Sequence, residues 1–175
     1  ENALTAVSMA FPIQNLMIGM ATGIGVGMNA FVSKNLGQHN QEGVNKSALH
    51  GIFLELINYL IFLCIGLFAV QKFMKTQTNI AEIVDSGTTY LRIVCICSFG
   101  IFTQVSFERL LQSTGKTLLS MTTQLTGAII NIILDPILIF GLFGMPKLGI
   151  AGAAIATVIG QIIAGIFAVV LNIKK

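Results

Sequence analysis

Charged residues are scarce in this sequence, and tryptophan is absent. Asp, Glu, Lys and Arg make up 10% of the 175 residues, whereas soluble domains carry about 25%. Hydrophobic residues make up 54%, and the mean hydropathy is +0.85. These values argue against a water-soluble globule.

Cysteine and proline are also rare, with three of each. Cys64, Cys95 and Cys97 lie within apolar stretches and lack the paired Cys-x-x-Cys spacing of zinc sites. We therefore expect no disulfide framework, no metal-binding cysteines and no cofactor. The Lys and Arg residues form no basic patch with interleaved aromatics, so we do not expect nucleic-acid binding.

Apolar residues are abundant and fall in long runs. A helix that crosses a bilayer needs about 20 such residues. Five runs meet this length, at approximately residues 3–32, 48–70, 88–107, 118–143 and 148–171. Because polar and apolar residues do not alternate with period two, a transmembrane barrel is disfavoured. The sequence predicts an all-α integral membrane protein with about five transmembrane helices in a bundle.

Basic residues predict how this bundle is oriented. The connections on one side of the five runs contain six of them: Lys34, Lys46, Arg109, Lys116, Lys174 and Lys175. Four lie at or near the other side: Lys72, Lys75, Arg92 and Lys147. The positive-inside rule places the first side in the cytoplasm. The chain starts at Glu1 without an initiator Met or a signal segment, so we expect it to belong to a longer protein.

Two stripes of small residues and one polar stripe stand out. Gly19, Gly23 and Gly27 recur every four residues, as does the series Gly152, Ala156, Gly160, Ala164 and Ala168, and both patterns predict close helix packing. The first run also has polar residues at intervals of seven: Ser8, Asn15, Thr22 and Asn29. These polar groups either bond to adjacent helices or line a substrate passage.

Glu55 and Asp135 are ionisable residues inside apolar runs, where such groups are rare and often functional. Glu55 is accompanied by His50 and Asn58, without the H-E-x-x-H spacing of a zinc site. Its role is either to line the passage or to fasten helices together.

Of these two carboxylates, Asp135 gives more information about function. An isolated carboxylate in a membrane helix costs about 2.5 to 3.5 kcal/mol on insertion scales. Asn131 lies on the same helix face, and Pro136 removes a backbone donor beside it. Carboxylate, amide and carbonyl oxygens suit a proton or Na⁺. The alternative is a buried hydrogen-bonding anchor.

Three segments resemble the multidrug and toxic compound extrusion (MATE) family. They are Glu108-Arg-Leu-Leu-Gln-Ser-Thr-Gly-Lys116, Gly127-Ala-Ile-Ile-Asn-Ile-Ile-Leu-Asp-Pro-Ile-Leu-Ile-Phe-Gly141 and Gly149-Ile-Ala-Gly-Ala-Ala-Ile-Ala-Thr157. The opening is similar to that family as well, in Phe11-Pro12, Gly23-Ile-Gly-Val-Gly27 and Asn29-Ala-Phe-Val-Ser-Lys-Asn-Leu-Gly37.

This resemblance implies a twelve-helix transporter with two six-helix lobes, in which the five runs correspond to helices two to six. The first helix and the C-terminal lobe would lie outside this chain. Family members are not enzymes; they sit in the cell membrane, and prokaryotes are the expected source. They export cationic or amphipathic compounds, such as drugs, in exchange for Na⁺ or protons. The implied ion site comprises Asp135, Asn131 and Thr157, with Na⁺ the one metal ion expected.

Two alternatives remain open at this point. The first is a flippase of the same superfamily, which moves a lipid-linked precursor across the membrane. The second is a membrane scaffold that transports nothing, in which the polar groups only connect helices. The lipid bilayer is the expected partner in every case, and a small-molecule substrate is expected for an exporter.

Overall fold

Long apolar runs with few helix breakers form helices throughout the described part of the chain. The computed structural model describes residues 2–144 and 146–174. Its α-helices are α1 (Asn2–Gly37), α2 (Gln41–Cys64), α3 (Val70–Gln77), α4 (Ala81–Ile96), α5 (Phe99–Ser113), α6 (Thr117–Phe140) and α7 (Ile150–Ile173). No strand occurs in either described range. The predicted all-α class is confirmed.

These helices form five candidate membrane spans. The helices α1, α6 and α7 each make one span, and α2 continues into α3 through a π-helical turn at Ile65–Ala69. The helices α4 and α5 make a fifth span that bends by 46° at its centre. The α4–α5 pair extends well beyond the predicted run at 88–107, because helical structure continues into the polar residues at both ends.

Two irregularities lie where α2 and α4 approach each other. A Cβ atom on Gly66, in the π-helical turn, would lie 2.8 Å from the Cβ of Cys95. The α4–α5 bend follows directly, at buried Ser98, whose hydroxyl donates a hydrogen bond to the Cys95 carbonyl (2.7 Å). Such local breaks in a helix are frequent at functional sites, and this one turns α5 toward α7.

The bundle has a small core and a wide apolar surface. Residues from several helices are buried together, including Met17, Phe62, Leu91, Phe102 and Ala154. Many large apolar side chains point outward instead, with Phe68 76% and Leu118 79% exposed. Exposed apolar area on this scale would be unfavourable in water and matches lipid as the surrounding solvent.

Polar contacts tie the helix ends together on both sides of the bundle. At one end, Asn2 donates to the Glu82 carboxylate (2.8 Å), joining the starts of α1 and α4. At the other end, Ser33 donates to the Ser113 carbonyl (3.3 Å) and Asn172 donates to the Phe107 carbonyl (2.9 Å). The C-terminal ends of α1, α5 and α7 therefore meet on one side, which is the side that the basic residues assign to the cytoplasm.

The small-residue stripe of α7 packs closely on α6, as predicted. A Cβ atom on Gly160 would lie 2.9 Å from the carbonyl oxygen of Gly127, and one on Gly152 would lie 2.5 Å from that of Leu138. The absence of side chains at these glycines lets the two backbones approach. This close contact sets the register between α6 and α7 and hence the geometry of the site below.

The corresponding prediction for α1 is wrong within the described residues. A Cβ atom on Gly19, Gly23 or Gly27 would meet nothing within 4 Å. The close approach occurs at Gly25 instead, where a Cβ atom would lie 2.9 Å from the Cγ of Arg109. The regular spacing of the three glycines gives α1 a smooth face, but the neighbouring helix α5 packs against the face beside it.

Candidate functional site: a polar cluster between α6 and α7

The contact between α6 and α7 brings the three predicted ion-site residues together. The Asn131 side-chain amide donates to the Asp135 carboxylate (3.4 Å) and to the Thr157 hydroxyl oxygen (3.3 Å). The Thr157 hydroxyl in turn donates to the Ala153 carbonyl (3.0 Å). All three side chains are half-buried. We call Asp135, Asn131 and Thr157 the Asp135 cluster.

The carboxylate of this cluster has no cationic partner in the described part of the chain. The one ion pair there joins Lys46 to Glu42 at the exposed start of α2. The helix α6 continues through Pro136, which has no N–H to donate, so the Ile132 carbonyl lacks its usual helical donor. The cluster therefore offers oxygen atoms from a carboxylate, an amide and a hydroxyl, with a free carbonyl nearby. These are ligands that Na⁺ prefers, and the carboxylate alone can accept a proton.

Tyr90 of α4 lies near this cluster and contacts α1, which the sequence did not indicate. The Tyr90 hydroxyl donates to the side-chain oxygen of Gln14 (3.3 Å), and Tyr90 lies in the vicinity of the Asp135 carboxylate. Tyr90 is buried in α4, and Gln14 lies on α1 beside it. The only sequence signal was the presence of two polar groups inside apolar runs, and their positions relative to Asp135 depend on the tertiary packing.

Glu108 of α5 is a buried carboxylate that the sequence did not single out. It is 5% exposed and accepts hydrogen bonds from Gln104, Thr123 and Gln124, each 2.9 Å long. Two of these donors lie on α6, so the carboxylate connects α5 to α6. Its neighbour Arg109 donates to Gln112 rather than pairing with it.

A groove joins the Glu108 contacts to the Asp135 cluster. It has a volume of about 310 Å³ and is bounded by α1, α5, α6 and α7. Its polar lining residues include Gln104, Glu108, Gln124, Asn131, Thr157 and Gln161. Polar side chains inside a membrane protein face other protein groups or water. The groove is thus a polar surface that extends along the bundle from the end of α5 to the centre of α6.

The predicted passage-lining residues of α1 lie away from the packed core. Ser8 and Asn15 are exposed, and Thr22 and Asn29 are half-buried. Ser8 donates to the Leu4 carbonyl (2.9 Å), and Asn29 accepts from Ser33 (3.2 Å). The stripe faces the open side of α1, and its role as a passage lining stays a prediction.

Glu55 is separate from that stripe. It is 3% exposed and lines a cavity of about 110 Å³ between α2 and α5, with Tyr59, Phe99 and Phe102 among the other lining residues. One carboxylate oxygen is 3.5 Å from the Asn58 amide, and the other has no hydrogen-bond partner among the described residues. The structure brings Glu55 to a different pocket from both the α1 stripe and the Asp135 cluster.

The five candidate spans and the wide apolar surface define a multi-pass helical membrane protein with a polar cluster between α6 and α7. The MatE family model matches residues 1–137. The chain therefore belongs to the MATE family, a family of membrane transporters, and is a multi-pass protein of the cell membrane. The fold and family expectations of the sequence are confirmed.

Individual relatives agree with this assignment. The chain is 26% identical over its whole length to the multidrug export protein MepA of Staphylococcus saprophyticus. It is 29% identical over 92% of its length to the probable multidrug resistance protein YoeA of Bacillus subtilis. An inward-facing structure of a multidrug resistance MATE transporter superimposes on 97% of the chain with a TM-score of 0.91 and 27% identity.

The chain spans only part of these relatives. It covers 38% of MepA, 35% of YoeA and 38% of the inward-facing transporter chain. The printed names of these relatives are those of multidrug export and multidrug resistance proteins. Any coupling ion, the exported compound and the roles of the site residues are properties of the complete protein, and for this chain they are proposals.

Proposed function

We propose that this chain forms part of the N-terminal lobe of a cation-coupled antiporter that exports cationic or amphipathic small molecules. The names of the relatives support multidrug export, and the two-lobed architecture implied by the family supports the lobe assignment. In this proposal, the remaining helices of the transporter complete the substrate passage. Na⁺ and H⁺ are both compatible with the cluster, and an experiment must separate them.

The proposal rests on how weakly the Asp135 carboxylate is held by other side chains. It receives a single long hydrogen bond, from Asn131 at 3.4 Å, and has no cationic side chain within 4 Å in the described ranges. A carboxylate in a membrane span is costly unless its charge is compensated. A mobile cation would supply that compensation, with Asn131 and Thr157 providing further oxygen ligands.

Cation movement is coupled to export if the cation binds one conformation of the transporter more tightly than the other. A ligand shifts a conformational equilibrium only by its difference in affinity for the two states. In secondary transporters, ion and substrate sites lie near the bilayer midplane, and lobes or repeats move around them. Cation binding at Asp135 would favour one opening of the lobes, and its release would favour the other.

The test is the substitution Asp135→Asn in the complete protein, reconstituted into liposomes. Efflux of the fluorescent cation ethidium is measured after an inward Na⁺ gradient or an inward proton gradient is imposed, in separate experiments. We expect at least a tenfold loss of efflux with the physiological ion and normal membrane insertion. Glu42→Gln is the matched control because Glu42 is exposed and paired with Lys46, far from the cluster in the fold.

Unchanged ion-driven efflux in Asp135→Asn would contradict the proposal. Equal losses in Asp135→Asn and Glu42→Gln would indicate a general effect of removing a negative charge. Failure of the wild-type protein to export any organic cation, combined with flipping of a lipid-linked substrate in the same liposomes, would favour the flippase alternative. No flux of either kind would favour a scaffold.

A further inference from the structure

Two cationic side chains line a polar pocket between α3 and α4, at the end of the bundle opposite the predicted cytoplasmic side. The pocket has a volume of about 480 Å³. Lys75, from the last turn of α3, and Arg92, from α4, both line it. The other polar lining residues are Gln71, Thr78, Asn79, Asp85, Thr88 and Thr89. None of these side chains belongs to the Asp135 cluster or to the groove beside it.

Arg92 is the unusual residue of this pocket. It lies eleven residues after Ala81, the start of α4, which corresponds to about 16 Å along the helix. Arginine inside a membrane span is rare and faces a cavity or pairs with a partner. Neither Arg92 nor Lys75 has a carboxylate within 4 Å in the described part of the chain, although Asp85 lines the same pocket. Two positive charges against one negative charge leave the pocket with an excess of positive charge.

The hydroxyl groups of α4 add a second, independent observation. Thr88 is 7% exposed, and its hydroxyl oxygen has no hydrogen-bond partner among the described residues. Buried hydroxyl groups normally have a partner, so an unpartnered one needs a specific explanation. Thr88 and Thr89 lie four and three residues before Arg92, so each lies near Arg92 on the side of α4 that lines the pocket. Hydroxyl and guanidinium donors on one helix face suit a ligand with several acceptor oxygens.

We propose that this pocket binds the phosphate group of an anionic phospholipid in the non-cytoplasmic leaflet. Arg92 would contact the phosphate with two parallel N–H donors, the arrangement in which guanidinium groups recognise phosphate. Lys75 adds a second positive charge, and the threonine hydroxyl groups add neutral donors. The volume of the pocket exceeds that of a phosphate group and leaves room for part of the headgroup.

The position of the pocket identifies a lipid as the source of the phosphate. The connection between α3 and α4 spans only residues 78–80, at the end of two membrane spans, where lipid headgroups are concentrated. An apolar surface continues from the pocket toward the membrane centre, because Phe68 lies about one turn before Gln71 and is 76% exposed. Acyl chains can lie along this surface while the phosphate occupies the pocket.

Binding is tested with the complete protein in detergent, using calorimetric titration of dihexanoyl phosphatidylglycerol, a soluble short-chain lipid. We expect saturable binding to the wild type and at least tenfold weaker binding to Arg92→Gln. Lys75→Gln should also weaken binding, by a smaller factor, and covers the case in which Arg92→Gln does not fold. Lys72→Gln is the matched control: Lys72 is an exposed lysine of α3 outside the pocket lining, and its loss should change the affinity less than twofold.

Three results would overturn the proposal. The first is absence of saturable binding to the wild type. The second is equal weakening by Lys72→Gln and Arg92→Gln, which would indicate a diffuse charge effect. The third is inorganic phosphate binding as tightly as the lipid, which would exclude a lipid as the preferred source. The assay measures binding without transport, so its result is independent of the proposed role of Asp135.

Discussion

The two buried glutamates should differ in how much stability the protein loses when each is replaced by methionine. Glu108 accepts three short hydrogen bonds, whereas one oxygen of Glu55 has no partner and the other is 3.5 Å from Asn58. A hydrogen bond of that length contributes little. Replacing each glutamate with methionine keeps a side chain of similar length and removes the carboxylate. The difference in unfolding free energy between the two variants then measures how much the hydrogen bonds to Glu108 stabilise the protein.

The magnitude follows from the donors that lose their acceptor. In Glu108→Met, the amides of Gln104 and Gln124 lose theirs, while the Thr123 hydroxyl keeps its bond to the Ser120 carbonyl. An unsatisfied buried donor costs about 1 to 3 kcal/mol. Gln104 is half-buried, whereas Gln124 is exposed and its amide can bond to water instead. We therefore expect a loss of about 1 to 3 kcal/mol in the free energy of unfolding, mainly from the Gln104 amide.

Glu55→Met removes a poorly satisfied carboxylate and leaves no strong donor without a partner. We expect a change in unfolding free energy of less than about 1 kcal/mol, or a gain in stability. Equilibrium unfolding of the complete protein in mixed detergent micelles measures both values. Leu56→Met, at an exposed position of α2, controls for the introduction of methionine. Equal losses in the two variants, or a larger loss for Glu55→Met, would refute the reasoning.

Two further predictions concern the contacts around the Asp135 cluster. Gly152→Ala should lower the free energy of unfolding by about 1 to 3 kcal/mol, because the new methyl group would lie 2.5 Å from the Leu138 carbonyl oxygen and push α6 away from α7. The same unfolding assay measures this loss. An unchanged free energy of unfolding would contradict the close packing of α6 on α7. Tyr90→Phe removes the hydroxyl that bonds to Gln14 in the vicinity of Asp135. It should shift the ion concentration for half-maximal efflux while the amount of inserted protein stays constant, and an unchanged concentration would show that Tyr90 does not act on the ion site.

The sequence predicted those parts of the site that depend on local spacing. Asp135 and Asn131 are four residues apart on one helix, so their contact follows from helical geometry alone. Thr157 could not be placed in this way, because its distance from Asn131 depends on the register between α6 and α7. The family resemblance supplied that residue, and the close contact of Gly127 with Gly160 explains why the register brings it to Asn131.

Glu108 shows where local reasoning fails. It lies next to Arg109 near the end of an apolar run, as an interfacial charge pair would. Its partners Thr123 and Gln124 are 15 and 16 residues away and belong to the next helix. Residue spacing carries no information about such contacts. The same limit explains the error at Gly19, Gly23 and Gly27, since periodicity predicts a smooth helix face but does not identify the helix that packs on it.

Glu108, Glu55 and Asp135 show that burial alone does not identify an exchangeable ion site. An ion that moves with each transport cycle must bind favourably and still leave, which requires a site of intermediate strength. Glu108 is already satisfied by three protein donors, so a cation there would have to displace them. Glu55 lies in a smaller cavity of about 110 Å³, whose lining is mainly apolar but includes the hydroxyl-bearing side chains of Tyr59, Thr103 and Ser106. Asp135 combines a weakly held carboxylate with amide and hydroxyl oxygens beside the larger groove of about 310 Å³, and these features support the proposal that a cation exchanges there.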